Sequence, residues 1–224
     1  MADPTFKQIV DALKNQVLIG HSYLAVAKGL LEADPVILQT APTFFGLTTD
    51  GALELAQMAL ARLYDKTGGA VTIEKMLARA TQELGLFQRG SKQEVSTAIT
   101  NSRHAMEDLK PVLAAIRRRR NEWLTHLDPR TVADPKALAA QAKLTLPDLE
   151  RAFHETEEIL IRLSCLYDGT VGELKFIGGD DYKMAVDWIR RAKCAWIERY
   201  EQEFHTEWTG PRPKDCSREK FELL

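Results

Sequence analysis

Ser91-Lys92-Gln93-Glu94-Val95-Ser96-Thr97-Ala98-Ile99 is the stretch on which the fold turns. Ser91 and Glu94 stand at the two ends of a capping box, in which serine and glutamate side chains satisfy each other's free backbone donors at a helix start. A long helix is therefore expected to follow, carrying Val95, Ile99, Leu109, Leu113, Ile116, Trp123, Leu124 and Leu127 inward. It should kink near Lys110-Pro111, where proline lacks an amide hydrogen, and end at Asp128-Pro129. The same spacing of three and four extends outward in both directions. Upstream, Thr5 caps a helix with Phe6, Ile9, Val10, Leu13, Val17, Leu24 and Leu31 inward, broken only by a weak point at Gly20 and ended before Asp34-Pro35. A second helix uses Leu53, Leu55, Ala56, Ala59, Leu60 and Leu63 and stops at Gly68-Gly69. A third, capped by Thr72, carries Ile73, Leu77, Ala80 and Leu84 toward Gly85.

Downstream, residues 129–144 are poor in large apolar side chains and form a connector. Thr145-Leu146-Pro147-Asp148 then supplies an N-cap, an early proline and an N3 carboxylate for a helix running to about Tyr167. A last helix spans roughly Asp181 to Phe204, with Met184, Trp188, Ile189, Ala192, Trp196 and Tyr200 as its inner face. Period-two alternation and hairpin dipeptides are scarce, so the chain is expected to be all-α, one helical domain over residues 1–224.

Composition narrows the function. Among 224 residues, 30 Lys+Arg face 32 Asp+Glu for a formal charge of -2, which does not describe a bulk polycation. A hydrophobic content of 45% can fill a core and excludes disorder of the whole chain. The first residues lack a basic n-region and no apolar run approaches the roughly 18 residues of a membrane span, so a cytoplasmic protein is expected. Cys165, Cys194 and Cys216 are odd in number and widely spaced, a pattern that fits reduced thiols better than a disulfide framework.

The unusual block is Arg117-Arg118-Arg119-Arg120-Asn121-Glu122-Trp123-Leu124-Thr125-His126-Leu127-Asp128. At about 100° per residue, four successive arginines sweep most of a helix circumference, so they cannot all face water if one stripe is buried. Arg120 falls where the apolar stripe calls for a core residue. A guanidinium there needs either a buried acid or a second chain across a polar interface. Within one chain, helix geometry makes Arg119 the closer neighbour of His126; two copies of the helix would let Arg120 of one approach His126 of the other. The pair suits phosphodiester cleavage, because imidazole titrates near working pH and guanidinium offers phosphate a planar fork of donors.

Arg120-Asn121 followed after five residues by His126 resembles the Arg-polar…His signature of the HEPN superfamily. Its surroundings resemble the abortive-infection, AbiU-like branch: Leu60-Ala61-Arg62-Leu63-Tyr64-Asp65-Lys66, Val71-Thr72-Ile73-Glu74-Lys75-Met76-Leu77, and Leu144-Thr145-Leu146-Pro147-Asp148-Leu149-Glu150 in that order. The resemblance spans about residues 5–168, leaving the C-terminal helix and tail outside it. It implies a HEPN-type helical bundle with an additional C-terminal helix, a homodimer whose two motifs line one cleft, and a metal-independent endoribonuclease of phage defence or a toxin–antitoxin system. No cofactor is implied, and a neutralising antitoxin or defence-system protein is an implied partner. Carried over by position, Arg120 would hold the scissile phosphate, Asn121 would orient it or the arginine, and His126 would transfer protons. Arg119 is the alternative arginine, and Arg117 and Arg118 are candidates for further RNA contacts. The alternative function is a catalytically silent module that binds RNA or a protein.

Elsewhere the signals are weaker. His154 beside Glu155, Glu157 and Glu158 reads as a solvated acidic face rather than a metal site, and no E-x-x-H occurs. No phosphate loop, nucleophile elbow or zinc-protease motif is present. Lys183, Arg190, Arg191, Lys193 and Arg199 alternate with Trp188 and Trp196 in a pattern able to grip a single strand, but the tryptophans read first as core.

Overall fold

The computed structural model describes residues 3–66, 69–121, 140, 142–170, 181–214 and 216. Those residues form eight α-helices, one short 3₁₀ turn and no strand, so the all-α expectation holds. The helices are α1 (Phe6–Glu32), α2 (Pro35–Leu38), α3 (Pro42–Leu63), α4 (Ile73–Gln82), α5 (Lys92–Asp108), α6 (Lys110–Arg119), α7 (Leu146–Asp168) and α8 (Asp181–Phe204). They fall into two compact units, one of residues 1–24 and 53–177, the other of residues 25–52 and 178–224.

The caps are where the sequence puts them. Ser91 Oγ accepts from the Glu94 amide at 3.2 Å while Glu94 accepts from the Ser91 amide at 2.7 Å. Thr145 and Asp148 do the same for α7, and Thr72 Oγ1 accepts from the Lys75 amide at the start of α4. The expected kink is a break: α5 ends at Asp108, Leu109 intervenes, and Pro111 sits in the first turn of α6, where its missing donor costs nothing. α7 ends on Gly169, whose φ of 81° is a left-handed conformation that glycine adopts without penalty.

In the first unit, Phe6, Val10, Leu13 and Val17 of α1 join Leu60 and Leu63 of α3, Met76 and Leu77 of α4, Val95 and Ile99 of α5, Ile116 of α6 and Phe153, Ile159 and Leu160 of α7 in one buried cluster. Gly20 is a point of contact rather than a weak one. A Cβ there would lie 2.2 Å from Cε1 of Phe153, so the ring packs on bare backbone.

The second unit departs from expectation in several ways. α3 begins at Pro42, well before Leu53, because residues 42–52 continue its helix in this unit. Leu31 is 57% exposed and, in the first unit's part of α3, Leu55 is 46% exposed, so neither points inward. α8 has the expected bounds but a different inner face: Cys194 and Ile197 are buried, while Met184, Trp188 and Trp196 are exposed. The cysteine reading is likewise corrected, for Cys194 and Cys216 form a disulfide and Cys165 is a free thiol. After Phe204 the chain turns through His205, at φ 48°, and its tail returns along α8. Glu201 accepts there from the Trp208 amide at 2.7 Å and from Arg212, which brings Cys216 to Cys194. No helix among the described residues is long and apolar enough to cross a membrane.

Candidate functional site

All four arginines of the run are half-buried, in keeping with the expectation that they cannot all face water. Each has a different fate. Arg119 donates from Nε to the carbonyl of Ala142 at 2.9 Å, and burial lowers the pKa of its guanidinium. That bond ties the end of α6 to the segment leading into α7. Arg120 turns toward α3 instead: its Nη1 lies 3.3 Å from Oδ2 of Asp65, with both side chains little more than a fifth exposed. Its Nε also donates to Oδ1 of Asn121 at 3.1 Å. Of the two partners that the register of Arg120 allowed, an acid or a second chain, an acid of the same chain is present.

Asp65 is held in place by its neighbour. Tyr64, the residue after α3, has its hydroxyl 2.6 Å from Oγ1 of Thr156, and that threonine spends its own proton on the Ala152 carbonyl, also at 2.6 Å. Tyr64 must then be the donor between them. Burial pushes the Tyr64 phenol up to about 12, so it stays protonated and keeps the bond at any ordinary pH. Two hydrogen-bonded groups therefore adjoin through the backbone: Tyr64 is bonded to Thr156 of α7, and the next residue, Asp65, is paired with Arg120, which also bonds Asn121. Ala61, Tyr64, Asp65, Leu113, Ile116, Arg117 and Arg120 line a narrow niche around the arginine.

The sequence singled out Arg120, Asn121 and Arg119, but not Asp65 and Tyr64, which fall in the block Tyr64-Asp65-Lys66 quoted for the family resemblance. The only available signal was that Arg120 needed either an acid or a second chain. His126 lies outside the described residues. Its distance from either arginine is not part of the observed geometry, and neither is Asp128. Arg118 is half-buried at the same helix end, and Arg117 borders the niche.

Other candidates resolve in less catalytic directions. His21 Nε2 lies 3.4 Å from Oε2 of Glu157 and its ring sits 5.0 Å from that of Phe153. Burial lowers its pKa more than Glu157 raises it, with His154 adding to the lowering. On α8, Asp187 accepts from both Arg190 and Arg191, and Lys193 lies 4.5 Å above the Trp196 ring and 5.5 Å from that of Trp208. Arg190, Arg191 and Lys193 thus already have intramolecular partners. Among the described residues no cluster of three His, Cys, Asp or Glu side chains is placed to hold a metal ion.

A family model described as AbiU2, of the HEPN group, matches residues 3–187. The match reaches past the residue-168 limit of the resemblance and into the first turns of α8. No curated protein and no solved structure matches the chain.

Proposed function

This chain belongs to the HEPN AbiU2 family, and from that membership we propose that it is a metal-independent endoribonuclease of a prokaryotic phage-defence or toxin–antitoxin system. In this reading it works in the cytoplasm as a homodimer, its two Arg…His motifs meeting across one cleft, with an antitoxin or defence-system protein as a possible further partner. The observation that carries it is the braced arginine. Asp65 and Asn121 fix the orientation of the guanidinium, and a preset orientation is what recognition of a phosphate in a developing transition state requires.

In the proposed reaction, His126 takes the proton from an RNA 2′-hydroxyl and the oxygen attacks the adjacent phosphorus. The bond from phosphorus to the 5′ oxygen breaks, and that oxygen receives a proton from the protonated His126 of the second copy. The products are a 2′,3′-cyclic phosphate and a free 5′-hydroxyl. Arg120 neutralises the phosphate, Asn121 orients Arg120, and Asp65 positions it without touching RNA.

The test incubates full-length protein in EDTA with a mixed pool of single-stranded and structured RNAs, beside His126→Ala, Arg120→Ala and Asp65→Asn. Wild type should leave cyclic-phosphate ends. His126→Ala and Arg120→Ala should each lose on the order of 10²-fold or more while remaining folded and dimeric. Asp65→Asn, which keeps the shape but not the charge, should lower kcat less than Arg120→Ala and leave KM nearly unchanged. One observation favours the silent-module reading: the carboxylate of Asp65 already engages the arginine. Under that reading no RNA is cut by any of the proteins, and Arg120→Ala alters stability or partner binding alone.

A further inference from the structure

Where α4 diverges from α5 and α6, the first unit carries an open groove of about 660 Å³ that runs into the Arg120 niche, the two sharing Tyr64, Leu113 and Arg117. One wall is a stripe that continues from α5 across the break at Leu109 into α6. Arg103, Met106, Lys110, Leu113, Arg117 and Arg120 follow one another at spacings of three, four, three, four and three, the repeat that keeps residues on one face. Cation and apolar residue alternate along it until the last step, where two arginines meet.

The charge is uneven in the same sense. Lys66, Arg103, Lys110 and Arg117 border the groove against two acids, Glu74 and Glu107. Glu107 is already engaged by Lys110, an exposed pair of the kind that contributes little and exchanges readily. Arg103 donates one Nη2 bond to the Thr81 hydroxyl at 3.2 Å and has further donors to offer. Between the cations, Leu77, Met106 and Leu113 supply an apolar floor.

A compact anion would call for donors that converge on one point. Arg103, Lys110 and Arg117 instead stand seven residues apart along α5 and α6, with the apolar Met106 and Leu113 between them. That layout fits a flexible polyanion whose charged backbone alternates with flat apolar groups. We infer that the groove is the track along which single-stranded RNA reaches Arg120, its phosphates on Arg103, Lys110 and Arg117 and its bases against Met106 and Leu113. The inference rests on the ribonuclease reading for its choice of polyanion, and it adds the residues that would set affinity ahead of the chemistry. Nothing along the floor presents a donor–acceptor code for one base, so the track is tolerant of sequence.

The experiment measures binding of a fluorescein-labelled 10-nucleotide single-stranded RNA of mixed sequence by anisotropy, using full-length His126→Ala protein so that the probe stays intact. In that background Arg103→Ala/Arg117→Ala is compared with Lys92→Ala/Arg151→Ala, a pair with the same charge change on exposed positions outside the groove. The groove pair should weaken binding about tenfold or more and flatten the plot of log K against log salt by about 1.4, roughly 0.7 per lost phosphate contact on a single strand. The control pair should change neither by more than about twofold in affinity. Equal effects of the two pairs would overturn the track. So would an unchanged RNA affinity accompanied by a shift in mass from dimer to monomer, which would make the groove a protein interface. Polyglutamate of equal charge competing as well as unlabelled RNA would also overturn it. Failure of the parent reading looks different: wild type cuts no RNA, yet the groove pair still binds it more weakly than the control pair. If instead the groove pair built on wild type, with His126 present, cuts RNA at an unchanged KM, the ribonuclease reading survives and the track does not.

Discussion

α7 and α8 are nearly equal in length, at 23 and 24 residues, and both carry an apolar repeat, but they are anchored differently. α7 buries Leu149, Ala152, Phe153, Thr156, Ile159, Leu160, Leu163 and Ser164 against the cluster that α5 and α6 share. α8 buries Cys194 and Ile197, and within its own unit is fastened by α2, by the disulfide to Cys216 and by the returning tail. A hydrophobic repeat states which residues share a face. It does not state whether a surface of the right shape is there to receive that face, and the second condition separates these two helices.

Aromatic truncation gives the widest contrast between them. Phe153 has no exposed surface, and Phe153→Ala should cost about 3–5 kcal/mol from lost transfer free energy and the cavity left among close-packed neighbours. Trp188 is 72% exposed, and Trp188→Ala should stay within about 0.5 kcal/mol. Urea unfolding followed by far-ultraviolet circular dichroism measures both. Comparable losses would mean that α8 is as deeply packed as α7 and would break the comparison.

The two units that hold α7 and α8 can be compared through one chemical change, glycine to alanine within a helix. Gly20→Ala brings a methyl group to 2.2 Å from the Phe153 ring and 3.0 Å from the Ala59 methyl, so the ring must shift. Overpacking of about 1–3 kcal/mol outweighs the gain in helix propensity, and the net effect is destabilising. Gly46, in the second-unit part of α3, faces open space, and Gly46→Ala should stabilise by about 0.5–1 kcal/mol. Opposite shifts in the urea midpoint are expected. A stabilising Gly20→Ala would show that Phe153 moves aside at no cost.

Local chemistry was legible in the sequence because caps and breaks act within a few residues. The boxes at Ser91 and Thr145, the Thr72 cap and the interruption at Pro111 needed no knowledge of distant segments. The need of Arg120 for either an acid or a second chain was legible too, from the register of its helix. Its fulfilment by Asp65, 55 residues away, was not, because pairing at that range depends on how α3 meets α6. The Cys194–Cys216 bond escaped for a related reason: it exists only if the chain reverses after α8, and no sequence period marks that reversal. The face of α8 was assigned inward on periodicity alone, which cannot detect that Met184 and Trp188 are exposed.

The smallest effect distinguishes the deep face of α7 from its rim. His21 packs on Phe153 while its Nε2 faces Glu157, so burial and an acid act on one imidazole in opposite directions. Burial is the larger cause and His154 reinforces it, which leaves the folded-state pKa below the ordinary value of 6.5. Below that value the unfolded chain binds a proton at this site more readily than the folded one does, so stability rises with pH across the interval between the two pKa values. The contribution of His21 is therefore complete above about pH 6.5 and is lost as pH falls through the folded-state value. Urea midpoints at pH 7.5, 6.5 and 5.5 should fall in that order for wild type, and His21→Gln, which cannot take the proton, should show a shallower decline. An equally steep decline in the variant would assign the acid sensitivity to other groups. A rise in the wild-type midpoint on acidification would mean that Glu157 outweighs burial and that the rim of α7 is wetter than its geometry indicates.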